Sequence, residues 1–212
     1  MKNIEKEKLW LNKVKELSKA SNWKFKSYFI FKVIDNLFFS ANFFINAKEN
    51  SISVCVEYKT FNIDNVFWDV IGEPNNKKMP ISFRSDAAFC VRGLNFYEHK
   101  IYIEENLKPE KSITELLTLI DKSVAEKADK IWTLNDFKIE MFSNEKSNSV
   151  GIVTSLIEQE QSEDALLKIE EYKRRKISSG FGFGDKDFYD LAKEYCEKNL
   201  QPTWVLPIVG RK

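Results

Sequence analysis

The sequence predicts an α+β fold: an antiparallel meander of five or six strands over residues 23–104, packed by helices, with a helical C-terminal portion. Three observations carry this. Apolar residues recur with period two in three successive stretches between residues 23 and 58. Short turn-forming clusters, Asp35-Asn36 and Lys48-Glu49-Asn50, separate those stretches. From Ile113 onward the apolar period changes to that of a helix.

Taken in order, residues 5–20 read as an amphipathic helix, with Trp10, Val14 and Leu17 at helical spacing. Eight lysines against three glutamates make residues 1–26 locally basic. Residues 23–33 read as one strand, with Phe25, Phe29, Phe31 and Val33 buried and Lys24, Lys26 and Lys32 in water. Residues 37–45 and 52–58 are the next two strands, with Leu37, Phe39, Ala41, Phe43 and Ile45 sharing one face of the first. Short connections between consecutive strands imply antiparallel pairing. A helix fits residues 62–71, closed by Gly72 at the position after its end and by Pro74. Residues 80–104 read as two or three further strands, including Pro80 to Arg84 and Ala87 to Arg92.

The stripe Ile113, Leu116, Leu117, Ile120, Val124, Ala128 and Ile131 predicts a helix over 112–133. Ser112 and Glu115 open it as a capping box. Residues 143–149 are the most linker-like stretch. The expected division is therefore a sheet domain over 1–142 and a helical portion over 150–212 packed on it, as two domains or one. Helices are predicted at 150–161, at 163–177 capped by Ser162, and at 186–199. The apolar residues 203–209 predict a docked edge strand or arm.

Composition limits the function. The 212 residues carry 33 Lys and Arg against 32 Asp and Glu, a net charge of +1. That excludes a globally basic nucleic-acid coat. Lysines and aromatics alternate over 23–33, but the period puts them on opposite faces, and a base-stacking platform needs both on one face. This disfavours nucleic acid as a partner. No apolar run approaches the length of a membrane span, and the N-terminal residues lack the continuous apolar core of a signal peptide. Three separated cysteines without a CxxC pair suit reduced thiols and a cytoplasmic location. One histidine, His99, excludes a multi-histidine metal site within one chain.

Few residues offer chemistry. His99 would need a carboxylate and a nucleophile in reach, and Glu98, Cys55 and Cys90 are the companions a sheet could supply. The run Gly180-Phe181-Gly182-Phe183-Gly184-Asp185 precedes a helix, as a phosphate loop does, but fits neither glycine-rich phosphate motif and does not follow a strand. It reads as a hinge whose Asp185 caps the next helix. With no nucleophile motif, metal cluster or cofactor loop, the expectation is a protein with no catalytic role and no cofactor. Its partner-binding residues are then sought among exposed aromatics and arginines: Arg174, Arg175, Phe181 and Phe183, all within 172–190. The competing reading folds both phenylalanines inward to tether the hinge.

Phe67-Trp68-Asp69-Val70-Ile71-Gly72, then Asn75-Asn76 and Pro80-Ile81-Ser82-Phe83-Arg84, resembles a stretch of small bacterial cytosolic proteins with an N-terminal helix, a strand meander and a helical second half. Some of those look like immunity proteins of polymorphic or contact-dependent toxin systems. The resemblance spans at most residues 1–140 and carries over no functional residue. It implies a cytoplasmic protein whose partner is another protein, in its sharpest form a toxin domain that it neutralises. The rival expectation is an enzyme or a nucleic-acid-binding accessory protein with a site that follows no known motif.

Overall fold

The computed structural model describes residues 2–85, 89–104, 109–130 and 134–200. The elements run α1 (Asn3–Ser18), β1 (Lys24–Lys26), β2 (Phe29–Ile34), β3 (Leu37–Asn46), β4 (Ser51–Thr60), α2 (Ile63–Val70), β5 (Leu94–Tyr102), α3 (Pro109–Lys130), α4 (Leu134–Phe142), α5 (Glu145–Glu158), α6 (Ser162–Arg174), β6 (Gly182–Phe183), β7 (Lys186–Asp187) and α7 (Phe188–Leu200). The expected α+β class holds: β1 to β5 form one antiparallel sheet in sequential order, packed with helices, and the C-terminal portion is helical.

The chain forms two compact units. One contains the residues up to Asn62 together with Pro80–Met141. The other contains Ile63–Met79 and the residues from Phe142 onward. The chain changes unit three times, at 62/63, 79/80 and 141/142, and α2 groups with the C-terminal helices rather than with the sheet. The reason is aromatic: the Phe67 ring of α2 stacks on Phe188 of α7 at 5.5 Å and meets Phe181 edge-on at 5.1 Å.

In the first unit, period-two patterning places Phe39, Ala41 and Phe43 opposite Tyr58, Val56 and Val54, and all six are buried. Helices α1 and α3 pack on this face, α3 contributing Ile113, Leu116, Leu117, Ile120 and Val124. Each such aliphatic or aromatic side chain contributes about 1.5–3 kcal/mol when fully buried. On the same face Lys32 reaches Asp121 of α3 at 2.7 Å, and Trp23 Nε1 donates to the same oxygen at 2.8 Å. Lys32 is therefore half-buried, not in water as expected.

The stretch 23–33 is not one strand. Ser27 takes a left-handed conformation (φ 52°), and the chain folds back, pairing Lys26 with Phe29 and Phe25 with Ile30. The two turn residues reset the alternation. Ile30 is fully buried and Val33 is 40% exposed, while Phe25 and Phe29 are half-buried. Lys24 and Lys26 are exposed as expected. The Asp35-Asn36 turn forms where predicted, with Asp35 at φ 52°. The loop before β4 is held by Asn46 Oδ1, which accepts the Lys48 and Glu49 N–H groups at 3.1 Å each.

Among the described residues, 80–104 supply one strand, not two or three. Ile81–Ser85 forms a 3-10 helix, and no strand forms among residues 89–93; Ala87 and its immediate neighbours lie outside the described residues. This segment lies against the face of the sheet opposite the helices. Lys59, 2% exposed there, donates to the carbonyls of Arg84 and Val91 at 2.6 and 2.7 Å. Arg84 in turn donates to the Phe61 carbonyl at 2.8 Å, its guanidinium 3.9 Å from the Phe61 ring centre. Gly93 permits the close approach, since a Cβ there would lie 3.0 Å from Glu57 Cβ.

Helix α3 begins at Pro109, a residue suited to a first turn, so Ser112 sits inside it and forms no capping box. Its predicted continuation to 133 runs beyond the described part of the helix. The expected linker is only the turn at Ser143 and Asn144, because Glu145 opens α5 and is held by Lys168 and Arg175. Ser162 is the first helical residue of α6 and Gln161 takes the cap position, where it makes no side-chain cap bond. At α7 the cap is Asp187 rather than Asp185: Asp187 Oδ1 accepts the Asp190 N–H at 3.0 Å, and Asp190 Oδ2 accepts the Asp187 N–H at 3.3 Å. The predicted arm at 203–209 lies outside the described residues.

Candidate functional site

Helices cover one face of the sheet, so the opposite face decides what the first unit offers to a partner. Along it run Ser40, Asn42, Phe44 and Asn46 of β3, opposite Glu57, Cys55, Ser53 and Ser51 of β4. Glu98, Lys100 and Tyr102 of β5 follow, opposite Cys55, Ser53 and Ser51. Residues 81–85 and 89–93 occupy the Lys59 end. At the other end Phe44 is 64% exposed and Tyr102 is 65% exposed. They flank β4, offset by two residues along the strands, roughly 12 Å apart by strand and residue spacing. Beside Phe44, Ser53 is too small to fill the space. The result is a shallow hollow of about 340 Å³ lined by Phe44, Ser53, Cys55, Glu98 and Lys100. Its rim is charged: Lys100 pairs with Glu49 at 3.1 Å and lies 5.0 Å from the centre of the Tyr102 ring.

A second, more polar cleft of about 300 Å³ adjoins it, lined by Asn42, Glu57, Arg84, Ser85, Cys90 and Arg92. Burial raises the Glu57 carboxyl above its ordinary pKa, against the opposing pull of Arg92 and Lys59. The Ser85 hydroxyl is buried there without a hydrogen-bond partner among the described residues.

The histidine and cysteines considered as a catalytic group are not brought together. His99 lies opposite Val54, and Cys55 lies opposite Glu98. Neighbouring positions on a strand point to opposite faces, so the imidazole and the thiol are separated by the sheet itself. Burial, and then Glu57 and Glu98, push the Cys55 thiol up to about 11, which keeps it protonated near neutral pH. The Cys90 thiol donates to the Arg84 carbonyl at 2.9 Å. All three cysteines are free thiols. Among the described residues no three His, Cys, Asp or Glu side chains are grouped to hold a metal ion, and no helix is long and apolar enough to cross a membrane.

The four residues singled out in the sequence lie in the second unit and differ in their surroundings. Arg174 is exposed at the end of α6. Arg175 donates to Glu145 at 2.8 Å and to Glu171 at 2.6 Å. Phe181 is half-buried with its ring against Phe67, and Phe183 is 47% exposed on the small hairpin. Tethering thus describes one phenylalanine and exposure the other. The sequence reading passed over Phe44 and Tyr102. Their signal was available: each is an aromatic out of phase with the buried row of its own strand.

No family model matches the chain, and no curated protein or solved structure is significantly similar to it.

Proposed function

We propose that this is a non-catalytic protein-binding module whose partner docks on the open face of the sheet, and that neutralising a toxin domain is its specific role. The observation that supports binding most directly is the pair of exposed aromatics on the open face, Phe44 and Tyr102, with Phe44 lining a hollow whose rim is charged. Anchors of this type dominate interface energies. The resemblance of residues 67–84 to small bacterial cytosolic proteins, some of which look like immunity proteins, supports the toxin-directed form of the reading. A cytoplasmic location belongs to the same proposal.

The test compares the tagged full chain with the double variant Phe44→Ser/Tyr102→Ser in pull-downs from the native host. The wild type should retain a protein partner. The variant should lose it, because one anchor alone contributes about 2 kcal/mol or more, roughly thirtyfold in affinity. Its melting temperature should stay within about 2 °C of wild type, as both side chains face solvent. If the partner is a toxin domain, co-expression of the wild type restores growth and the variant does not. Retention by both proteins would exclude the sheet face and leave residues 172–190 as the contact. Absence of any partner, with no protection from toxins encoded beside the gene, would overturn the proposal.

A further inference from the structure

The two edges of the sheet differ. At one, β1 has only three residues and is closed by the turn into β2. At the other, β5 extends over the nine residues Leu94–Tyr102, and among the described residues no strand pairs with its outer side. A long unpaired edge offers a row of free backbone donors and acceptors, which proteins either guard or use. Little guards this one. It contains no proline, and its bulge, between Val56 and Glu57 on the neighbouring strand, lies near its start. The side chains over the remaining stretch are Tyr97, Glu98, His99, Lys100, Ile101 and Tyr102.

We infer that β5 is a homodimerisation edge, pairing antiparallel with β5 of a second copy about a two-fold axis at His99. The charge pattern selects both occupant and register. With His99 opposite itself, Glu98 of each copy faces Lys100 of the other, and Tyr97 faces Ile101. The pairing therefore makes two opposite-charge cross-strand contacts and two aromatic–aliphatic ones, the combinations that stabilise antiparallel strands. The two nearest two-fold registers that keep the faces aligned put either Glu98 opposite Glu98 or Lys100 opposite Lys100, and both are repulsive. A self-complementary strand of this kind makes the isologous contact required of a two-fold dimer. Within one copy the two side chains make exposed contacts, Glu98 with Asn95 and Lys100 with Glu49 and the Tyr102 ring, and such surface pairs are readily exchanged.

This inference is independent of the proposed protein partner and is tested separately, by sedimentation equilibrium of the full chain. The wild type should show a concentration-dependent species of about 50 kDa, twice the 24.9 kDa chain. Glu98→Lys and Lys100→Glu each set like charges opposite one another twice, and each should weaken the dimer at least tenfold. The double variant Glu98→Lys/Lys100→Glu restores opposite charges and should recover dimerisation. That reversal is the signature of the register, and local misfolding would not produce it. Phe44→Ser, on β3 and away from this edge, should leave the dimer within threefold of wild type. A chain that stays monomeric at all concentrations overturns the inference. So does a dimer indifferent to both single charge changes, or one that the double swap fails to restore.

Discussion

Ile30 and Val33 lie three residues apart on one strand, yet one is fully buried and the other is 40% exposed. The difference follows from Ser27, whose left-handed backbone turns β1 into β2 and restarts the inside–outside alternation. Removing methyl groups should therefore matter at one position only. Ile30→Ala is expected to lower unfolding stability by about 2–5 kcal/mol and Val33→Ala by less than about 1 kcal/mol, as read from denaturant midpoints. Comparable losses at the two sites would contradict the hairpin. Nothing in the local sequence announces the turn, since Ser27-Tyr28 is a weak turn pair beside Asp35-Asn36, and an uninterrupted period of two fitted the aromatics equally well. The candidate site was legible to a similar degree. Phe38 and Phe44 both fall off the buried face of β3, but Phe38 is 1% exposed and Phe44 is 64% exposed. The segment that lies over the Phe38 end starts some forty residues later, and no local pattern reports it.

At the scale of elements, the strands with clean alternation and strong turn residues were readable, and so were the long helix α3 and the end of α2 at Gly72. The failures are elements fixed by distant partners. Residues 81–85 look extended in sequence, but their carbonyls and those beyond serve the Lys59 ammonium. The start of α5 looks like a linker, but Glu145 is gripped by Lys168 at 2.8 Å and Arg175 at 2.8 Å, while Tyr172 donates to it at 3.2 Å. This clasp joins the first turn of α5 to the end of α6. Hydrogen bonds from Lys168 and then Arg175 hold the Glu145 carboxyl down at about 2, below its ordinary value of 4.5. A carboxyl depressed in the folded state contributes stability above its unfolded pKa and loses it as pH falls through the folded one. Stability should therefore decline between about pH 4.5 and 2 through this group. Glu145→Gln should be less stable at pH 7 and should show a flatter decline across that window in urea titrations. A decline as steep as that of the wild type would remove the clasp from the acid response.

For the whole molecule, the division of the chain is the least obvious feature in the sequence. The assignment of α2 to the C-terminal helices was not readable. Its amphipathic pattern says that Ile63, Phe67 and Trp68 are buried, but not against what. In the fold they belong with α5 and α7. A fragment ending at 142 would carry α2 without those helices. Such a fragment is expected to bind an apolar dye, unlike the full chain, and to form species larger than a dimer in sedimentation. A monodisperse, dye-silent fragment would show that the sheet unit shields α2 by itself.

The same interleaving has a consequence for biosynthesis. Helix α2 is made early, and its partner helices emerge roughly 75 to 120 residues later. At bacterial-type elongation of about 5–20 residues per second, that is a delay of roughly 4–25 s. During that interval the sheet unit is being completed around a nascent apolar helix with nothing yet to pack on. The vulnerable moment in the life of this protein is thus on the ribosome, and slow translation between codons 80 and 145 should lower its soluble yield more than slow translation before codon 60.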